Sequence, residues 1–89
     1  MNRIVVDGRI SEDKKMFHQH LKEVFSFPEY YGCNLDALYD CLLEITKETE
    51  IVLTYFDVLE ENLGQYAVSL FHTFKDSAEE NNCIKILLQ

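Results

Sequence analysis

The 89-residue sequence predicts an α/β fold: a three-stranded parallel sheet with packed helices, in the order β-α-α-β-α-α-β. Three short apolar runs, at 3–6, 51–55 and 84–88, are typical of strands. Longer segments with apolar residues at helical spacing separate them. Strands roughly 30 to 40 residues apart need crossover connections, and right-handed crossovers generate a parallel sheet. We expect one domain, 1–89.

The first part of the chain carries a strand and a helix. The strand at 3–6 is β-branched and is followed by a turn signal at 7–8. Ser11 is placed to cap a helix. Ser26 and Pro28 are expected to end it, because proline restricts the residue before it and cannot continue a helix. The apolar residues at helical spacing are Met16, Phe17, Leu21, Val24 and Phe25.

A second helix is predicted from Asn34, as its N-cap, to about Glu44. Its apolar residues fall within one narrow arc of a helical wheel, which is typical of a helix with one buried side. These residues are Leu35, Leu38, Leu42 and Ile45. Residues 46–50 are polar and are expected to form a loop.

The second half of the chain repeats the strand and helix pattern. The strand at 51–55 precedes a short helix over 57–63, which Gly64 is expected to close. A longer helix then ends at 81–82, and the last strand covers 84–88. The apolar runs at 51–53 and 84–88 are typical of strands that helices cover. The apolar residues of the longer helix are Tyr66, Ala67, Leu70, Phe71 and Phe74.

The charge balance is strongly acidic. Sixteen Asp and Glu against eight Lys and Arg give a formal net charge of −8. Such a surface repels phosphate backbones, which argues against direct binding of nucleic acid, and it argues equally against an anionic membrane surface. It favours a basic protein as partner. The alternative is that the charge serves solubility alone.

The cysteines and the apolar content predict a reduced, cytoplasmic protein. Cys33, Cys41 and Cys83 are odd in number and form no C-x-x-C pair. The sequence shows no apolar signal segment before the first strand, and no stretch approaches the roughly 18–20 apolar residues of a membrane helix. We expect Cys41 and Cys83 to fill the core and Cys33 to be exposed.

The second predicted helix has an unusual outer side, here called the acidic face, formed by Asp36, Tyr39, Asp40 and Leu43. Asp36 lies in the first turn, where the helix dipole stabilises a carboxylate by about 0.3–1 kcal/mol. Asp40 lies mid-helix, where a like charge one turn away costs roughly 0.2–0.5 kcal/mol. Asp40 thus lowers the stability of the helix without a visible structural benefit, and such a residue indicates a functional site. The alternative is an ordinary solvated face.

The loop before this helix adds aromatic residues. Pro28 stiffens it and Gly32 permits a turn. Of its two adjacent tyrosines, Tyr31 is expected to pack inward and Tyr30 to face solvent. Because an exposed tyrosine is a typical anchor of protein interfaces, Tyr30 and the acidic face together predict a plug for a basic, concave site.

Catalytic and metal sites are not expected. Asp36 and Asp40 on a convex face form no cleft in which a carboxyl pKa could be raised for acid–base catalysis. The three glycines form no phosphate-binding loop. His18 and His20 project about 200° apart on a helix and cannot bind one metal together. We therefore expect a binding protein without cofactor or metal, with a small acidic enzyme as the rival interpretation.

The run YYGCNLDALYDCL, at 30–42, closely resembles the motif of the barstar family, Tyr-Tyr-Gly-x-Asn-Leu-Asp-Ala-Leu-Trp-Asp. The likeness extends over nearly the whole chain. Barstar-like proteins are cytosolic inhibitors of secreted guanyl-preferring ribonucleases of the barnase type. The resemblance implies the same three-stranded sheet, and an inhibitor whose second helix and preceding loop plug the active site of a basic ribonuclease without any cofactor. Apart from the resemblance, we expect the free chain to be a monomer.

Carried over by position, the resemblance implies eight partner-binding residues. Asp40 would meet the basic residues that otherwise grip the substrate phosphate, and Asp36 would meet basic residues nearby. Asp76, on the long helix, would add a further acidic contact. The set is Tyr30, Gly32, Asn34, Leu35, Asp36, Tyr39, Asp40 and Asp76.

Three positions depart from the family pattern. Tyr39 stands where the family commonly has Trp, and Cys33 stands where a polar or acidic residue is common. Asp76 is one methylene shorter than the Glu of the best-known member. Because these positions bear on the partner's identity, a binding or immunity module of the same fold for another basic toxin or protein stays open as the alternative.

Overall fold

The structure, a computed structural model, describes residues 2–10 and 12–89. In these residues three strands and four helices follow in the predicted order. They are β1 (Asn2–Asp7), α1 (Lys14–Phe25), α2 (Leu35–Leu43), β2 (Thr49–Thr54), α3 (Phe56–Leu63), α4 (Gln65–Glu80) and β3 (Ile84–Leu88). The sheet is parallel throughout, with the strand order β1-β2-β3. The predicted α/β fold is confirmed.

The core lies on one face of the sheet. Ile51 of β2 pairs with Ile4 of β1 and Ile86 of β3, and all three belong to the core or pack against it. In the next register row, Val5 and Leu87 on the two outer strands are 49% and 43% exposed, while Val52 between them is 1% exposed. Two right-handed crossovers that step the same way across a sheet place every helix on the same side. The expectation that helices cover the whole of the last strand is therefore wrong for one of its faces.

The bounds of β2 differ from the prediction. The polar segment 46–50 was expected to be a loop, but Thr49 already pairs with Asn2 on one side and with Ile84 on the other. A strand in the centre of a sheet gains ladder hydrogen bonds on both edges, and these outweigh the low strand propensity of polar residues. Tyr55, predicted as the last strand residue, instead has φ 53° and precedes α3 as its N-cap residue.

The first helix is capped by a different residue from the one predicted. Asp13 Oδ1 accepts the backbone N–H of Met16 at 2.8 Å, and α1 follows directly. Ser11, the predicted cap, lies outside the described residues. The helix ends as predicted at Ser26, which adopts a left-handed φ of 56°. Phe17 of the predicted apolar stripe is buried, whereas Met16 is 46% exposed and points away from the core.

The turn after β1 brings two backbone segments close together. A Cβ atom on Gly8 would lie 2.5 Å from the carbonyl oxygen of Tyr55 and 2.8 Å from that of Thr54. The N–H of Gly8 donates to the Thr54 carbonyl at 2.9 Å. Glycine is needed here because only a residue without a side chain permits this approach. The turn signal in the sequence thus also marks a packing contact between β1 and the start of α3.

None of the described helices is a candidate for a membrane span. Within residues 2–10 and 12–89, no helix is both long and apolar enough to cross a bilayer. The buried core draws on β1, β2, β3 and all four helices. Its fully buried large side chains include Phe17, Leu21, Leu38, Leu42, Ile51, Leu70 and Phe74.

Candidate protein-binding site

The start of α2 is fixed by Asn34, as predicted. Its Oδ1 accepts the N–H of Ala37 at 2.7 Å, and its Nδ2 donates to the carbonyl of Gly32 at 3.2 Å. The first bond satisfies a backbone donor that the helix leaves free, and the second folds the preceding loop back onto the helix. Asn34 therefore joins the two parts of the predicted plug.

The two sides of α2 differ as the helical wheel predicts. Leu38 and Leu42 are fully buried against the core. Asp36 and Asp40 lie on the opposite side and are exposed. Four residues of helix separate their α-carbons by about 6 Å along the axis, so both carboxylates project from neighbouring turns.

No cation neutralises these carboxylates in the part of the chain that the structure describes. The ion pairs there join Arg3 to Glu50, Arg9 to Asp7 and Lys22 to Glu29. None of them involves Asp36, Asp40 or Asp76. The last turn of α2 also holds no basic residue. The acidic face therefore presents uncompensated negative charge to solvent.

The two tyrosines of the loop point in opposite directions, as predicted. Tyr30 is 84% exposed, whereas Tyr31 is 6% exposed. The Tyr31 ring packs against Phe27 at a centroid distance of 4.8 Å. Its N–H donates to the carbonyl of Pro28 at 2.9 Å. Tyr31 thus anchors the loop and leaves Tyr30 outside as a large amphipathic side chain.

A buried histidine holds this anchor in place. His18 is fully buried on α1, with Nδ1 2.7 Å from the hydroxyl of Tyr31 and Nε2 2.8 Å from the hydroxyl of Tyr66 on α4. Burial lowers the pKa of His18 and raises the pKa of Tyr31. A neutral imidazole can donate with one nitrogen and accept with the other, so both tyrosine contacts are satisfied.

Sequence reasoning considered His18 only as a metal ligand and missed this role. The signal was present in the spacing, because His18 follows Phe17 by one residue and precedes Leu21 by three, which puts it on the buried arc of α1. A histidine on such an arc needs hydrogen-bond partners, and tyrosines are suitable ones.

The left-handed residue of the loop is Cys33, not the glycine beside it. Cys33 has φ 53°, while Gly32 does not adopt a positive φ. A Cβ on Gly32 would lie 3.2 Å from Asn34 Nδ2 and 3.4 Å from the Cβ of Ala37. A side chain at Gly32 would therefore crowd the Asn34 amide, and Gly32 does not use the positive φ that glycine readily adopts. Cys33 is exposed, as expected, and Cys41 and Cys83 are partly buried.

The eight residues implied by the resemblance do not all lie on one element. Seven of them fall within 30–40, on α2 and the loop before it. The eighth, Asp76, is exposed on α4, the helix against which α2 packs. Leu35 and Tyr39 are half-buried, and the others are exposed. Leu43, outside the set, is 38% exposed one turn beyond Tyr39 and extends the apolar part of the acidic face.

Among the described residues, a cavity of about 410 Å³ lies away from α2, between α4 and β3. The same residues contain no cluster of three or more His, Cys, Asp or Glu side chains arranged to hold a metal ion. What the arrangement can do is insert a negatively charged and aromatic projection into a complementary cavity of another molecule.

Comparison with known proteins agrees with this geometry. The family model described as "Barstar (barnase inhibitor)" matches residues 1–89. A curated protein of Bacillus subtilis (strain 168), named "Putative ribonuclease inhibitor YrdF", is 38% identical over 81 residues. The aligned part is 90% of this chain and 89% of that protein.

Proposed function

This chain belongs to the barstar family, and on that premise we propose that it is an intracellular inhibitor of a guanyl-preferring ribonuclease of the barnase type. The observation that carries the proposal is the acidic face of α2, where Asp36 and Asp40 are exposed and unpaired among the described residues. These carboxylates would occupy the positions that substrate phosphates take in the nuclease.

Membership of this family also bears on catalysis. The family is one of inhibitors, and the matching relative is named as an inhibitor. The prediction that the chain is not an enzyme is therefore confirmed, and a role like that of a barnase inhibitor follows at the level of the family. The choice of nuclease and the contact residues belong to the proposal.

The proposed mechanism is electrostatic mimicry. A ribonuclease binds phosphate, so its active site must be basic. A carboxylate that enters such a site meets cations already arranged for an anion, and it forms charge-assisted hydrogen bonds with them. Asp40 is the best placed for this role because it projects from the middle of the exposed side of α2. Asp36 lies one turn before it, and Asp76 is exposed on α4.

Aromatic and apolar side chains complete the plug. Tyr30 is almost fully exposed at the edge of the loop, and Leu43 is partly exposed at the other end of α2. On binding, these side chains bury apolar area and exclude water from the charged contacts between them. Removing water strengthens the ion pairs, because the local dielectric constant falls.

The net charge of −8 supports fast association with a basic partner. An inhibitor in the cytoplasm of the producing cell must capture nuclease molecules before they leave, so its association rate matters as much as its affinity. We propose the cytoplasm as its location and the monomer as its free form. The partner would be a secreted basic protein.

A second candidate is an immunity module for another basic toxin. Tyr39 and Cys33 favour it, since they lie within the motif that carries the resemblance and differ from the family pattern. Tyr39 offers less apolar area than the common tryptophan. Both candidates use the same acidic face, and they differ only in the partner.

An inhibition assay distinguishes the candidates. The purified chain is titrated against a panel of guanyl-specific ribonucleases, with ribonucleases of other specificities as controls. We expect stoichiometric loss of activity for at least one guanyl-specific enzyme. If every ribonuclease in the panel stays fully active at an excess of the chain, the proposed target is wrong and the immunity module is favoured.

A further inference from the structure

We propose that Asn81 is a positioning residue of the binding site, which ties the end of α2 to the end of α4 and thereby sets the position of Asp40 relative to Asp76. The inference rests on the proposed function, because it concerns how the two acidic elements meet one partner. Asn81 is far in sequence from α2 and does not belong to the predicted contact residues.

The side chain of Asn81 contacts the last turn of α2 through several bonds. Its Nδ2 donates to the carbonyls of Leu42 at 3.0 Å and Ile45 at 2.9 Å, and it lies 3.4 Å from the carbonyl of Leu43. Its Oδ1 accepts the N–H of Cys83 at 3.0 Å. The amide orientation is determined by its partners, because carbonyls only accept and a backbone N–H only donates.

The end of α2 has an unusual need for such a donor. The last carbonyls of a helix have no partner within it. A glycine cap, which lets the following backbone N–H groups reach these carbonyls, or a basic side chain usually supplies the hydrogen-bond donors. Here the C-cap residue is Glu44, in a right-handed conformation, and the last turn contains no basic residue. Negative charge at Asp40 and Glu44 adds to the negative end of the helix dipole. From another element, Asn81 supplies additional donors to the carbonyls of Leu42 and Ile45.

The position of Asn81 also links three elements. It is the C-cap residue of α4, and its own N–H donates to the carbonyl of Ser77 at 2.8 Å. Through Cys83 it reaches the start of β3. The Cys83 thiol makes a second contact between these segments, since Sγ donates to the carbonyl of Thr46, just beyond α2, at 3.4 Å.

The consequence concerns the geometry of the binding site. Asp40 lies two residues before Leu42, and Asp76 lies five residues before Asn81. A rigid connection between these two helix ends fixes the separation of carboxylates that stand on different helices. A partner with a fixed arrangement of cations would then meet both carboxylates without reordering either helix.

Hydrogen exchange in the free protein tests whether the Asn81 side chain stabilises the end of α2. The amides of Glu44 and Ile45 donate to the carbonyls of Cys41 and Leu42 in the last turn of α2. In Asn81→Ala we expect their exchange to be faster by roughly tenfold, while the amides of β2 change less. The matched control is Asn82→Ala, an exposed asparagine next in the chain that should leave both sets unchanged. If exchange in Asn81→Ala is accelerated equally at all amides, or at none, Asn81 does not specifically stabilise the end of α2.

A double-mutant cycle tests the effect on binding. Affinity for an inhibited ribonuclease is measured for the unmodified chain, Asp40→Ala, Asn81→Ala and the double variant. Positioning predicts that the loss caused by Asp40→Ala shrinks by about fivefold or more once Asn81 is removed. If the two losses simply multiply, Asn81 contributes stability alone and the proposal fails.

One further variant and the matched control distinguish positioning from a loss of folding. Asn81→Ser retains one donor and should fold if Asn81→Ala does not, with an intermediate effect on both measurements. Asn82→Ala should show no coupling to Asp40→Ala. If no ribonuclease is inhibited by the unmodified chain, the proposed function fails, but the exchange measurement still decides whether Asn81 holds the end of α2.

Discussion

At the scale of single residues, the chain places charge where the fold does not need it. Asp40 is exposed in the middle of α2, one turn from Asp36, with no described cation nearby. Its cost to the free protein is small, on the order of 0.2–0.5 kcal/mol for like charges at this spacing. Under the proposed function, such a residue is retained for what it contacts in a complex.

Asp40→Ala should weaken ribonuclease binding by on the order of a hundredfold or more, because it leaves the partner's cations buried without a counter-charge. The stability of the free chain should stay unchanged or rise slightly. Affinity measured by inhibition, together with urea unfolding, checks both statements. Glu61→Ala on α3 is the control, since it removes an exposed acidic residue away from the site. An equal loss of affinity from both variants would contradict the assignment.

His18 predicts a dependence of stability on pH. Because burial lowers its folded-state pKa below the ordinary value of 6.5, the unfolded chain binds more protons as the pH falls below that value. As the pH is lowered from about 6.5 to the folded-state pKa of His18, the free energy of unfolding should therefore decrease. The slope from this group is at most about 1.4 kcal/mol per pH unit.

The measurement is urea unfolding at a series of pH values for the unmodified chain and for His18→Gln. Tyr31 and Tyr66 do not interfere, since the pKa of each is raised from an already high value. The hydrogen bonds that Arg9 donates to Asp7 lower the pKa of that carboxyl from an already low value. Identical slopes in the two proteins would show that His18 is not the titrating group.

At the scale of elements, α2 and the loop before it act as one unit. Asn34 caps the helix and holds Gly32, while Tyr31 attaches the loop to His18 and Phe27. The sequence indicates the cap and the opposite directions of the tyrosines, because both follow from local rules. It does not indicate the contacts of His18 and Asn81, since those join residues that only the tertiary fold brings together.

Asn34→Ala should destabilise the chain by about 1 kcal/mol, through loss of the cap on α2. Asn34→Ser should recover most of this loss, because a serine hydroxyl can accept the same backbone N–H. Urea unfolding measures both changes, with Asn82→Ala as the control. A cost no larger than that of Asn82→Ala would show that the cap contributes little to folding.

At the scale of the whole molecule, the sequence predicts the order and types of the elements along the chain more reliably than the residues at which they begin and end. The parallel sheet follows from crossover length and handedness. The start of β2 at Thr49 was missed because pairing on both edges, not composition, decides it. The same topology places all helices on one side and leaves Val5 and Leu87 partly exposed on the other.

The net charge should govern the association rate. Raising the salt concentration from about 0.05 M to about 0.5 M should slow association with a basic ribonuclease by roughly tenfold or more, because screening removes long-range attraction. The dissociation rate should change much less. Stopped-flow mixing measures both constants. An association rate that does not respond to salt would remove electrostatic steering from the mechanism.

The most direct test of phosphate mimicry is competition with a nucleotide. A ribonuclease that this chain inhibits is mixed with increasing guanosine monophosphate, and the apparent affinity of the chain is measured at each concentration. We expect the apparent dissociation constant to rise in proportion to the nucleotide, because the acidic face and the phosphate compete for the same cations. An inhibitor that binds equally well to the nucleotide-filled enzyme would show that the carboxylates of α2 lie elsewhere.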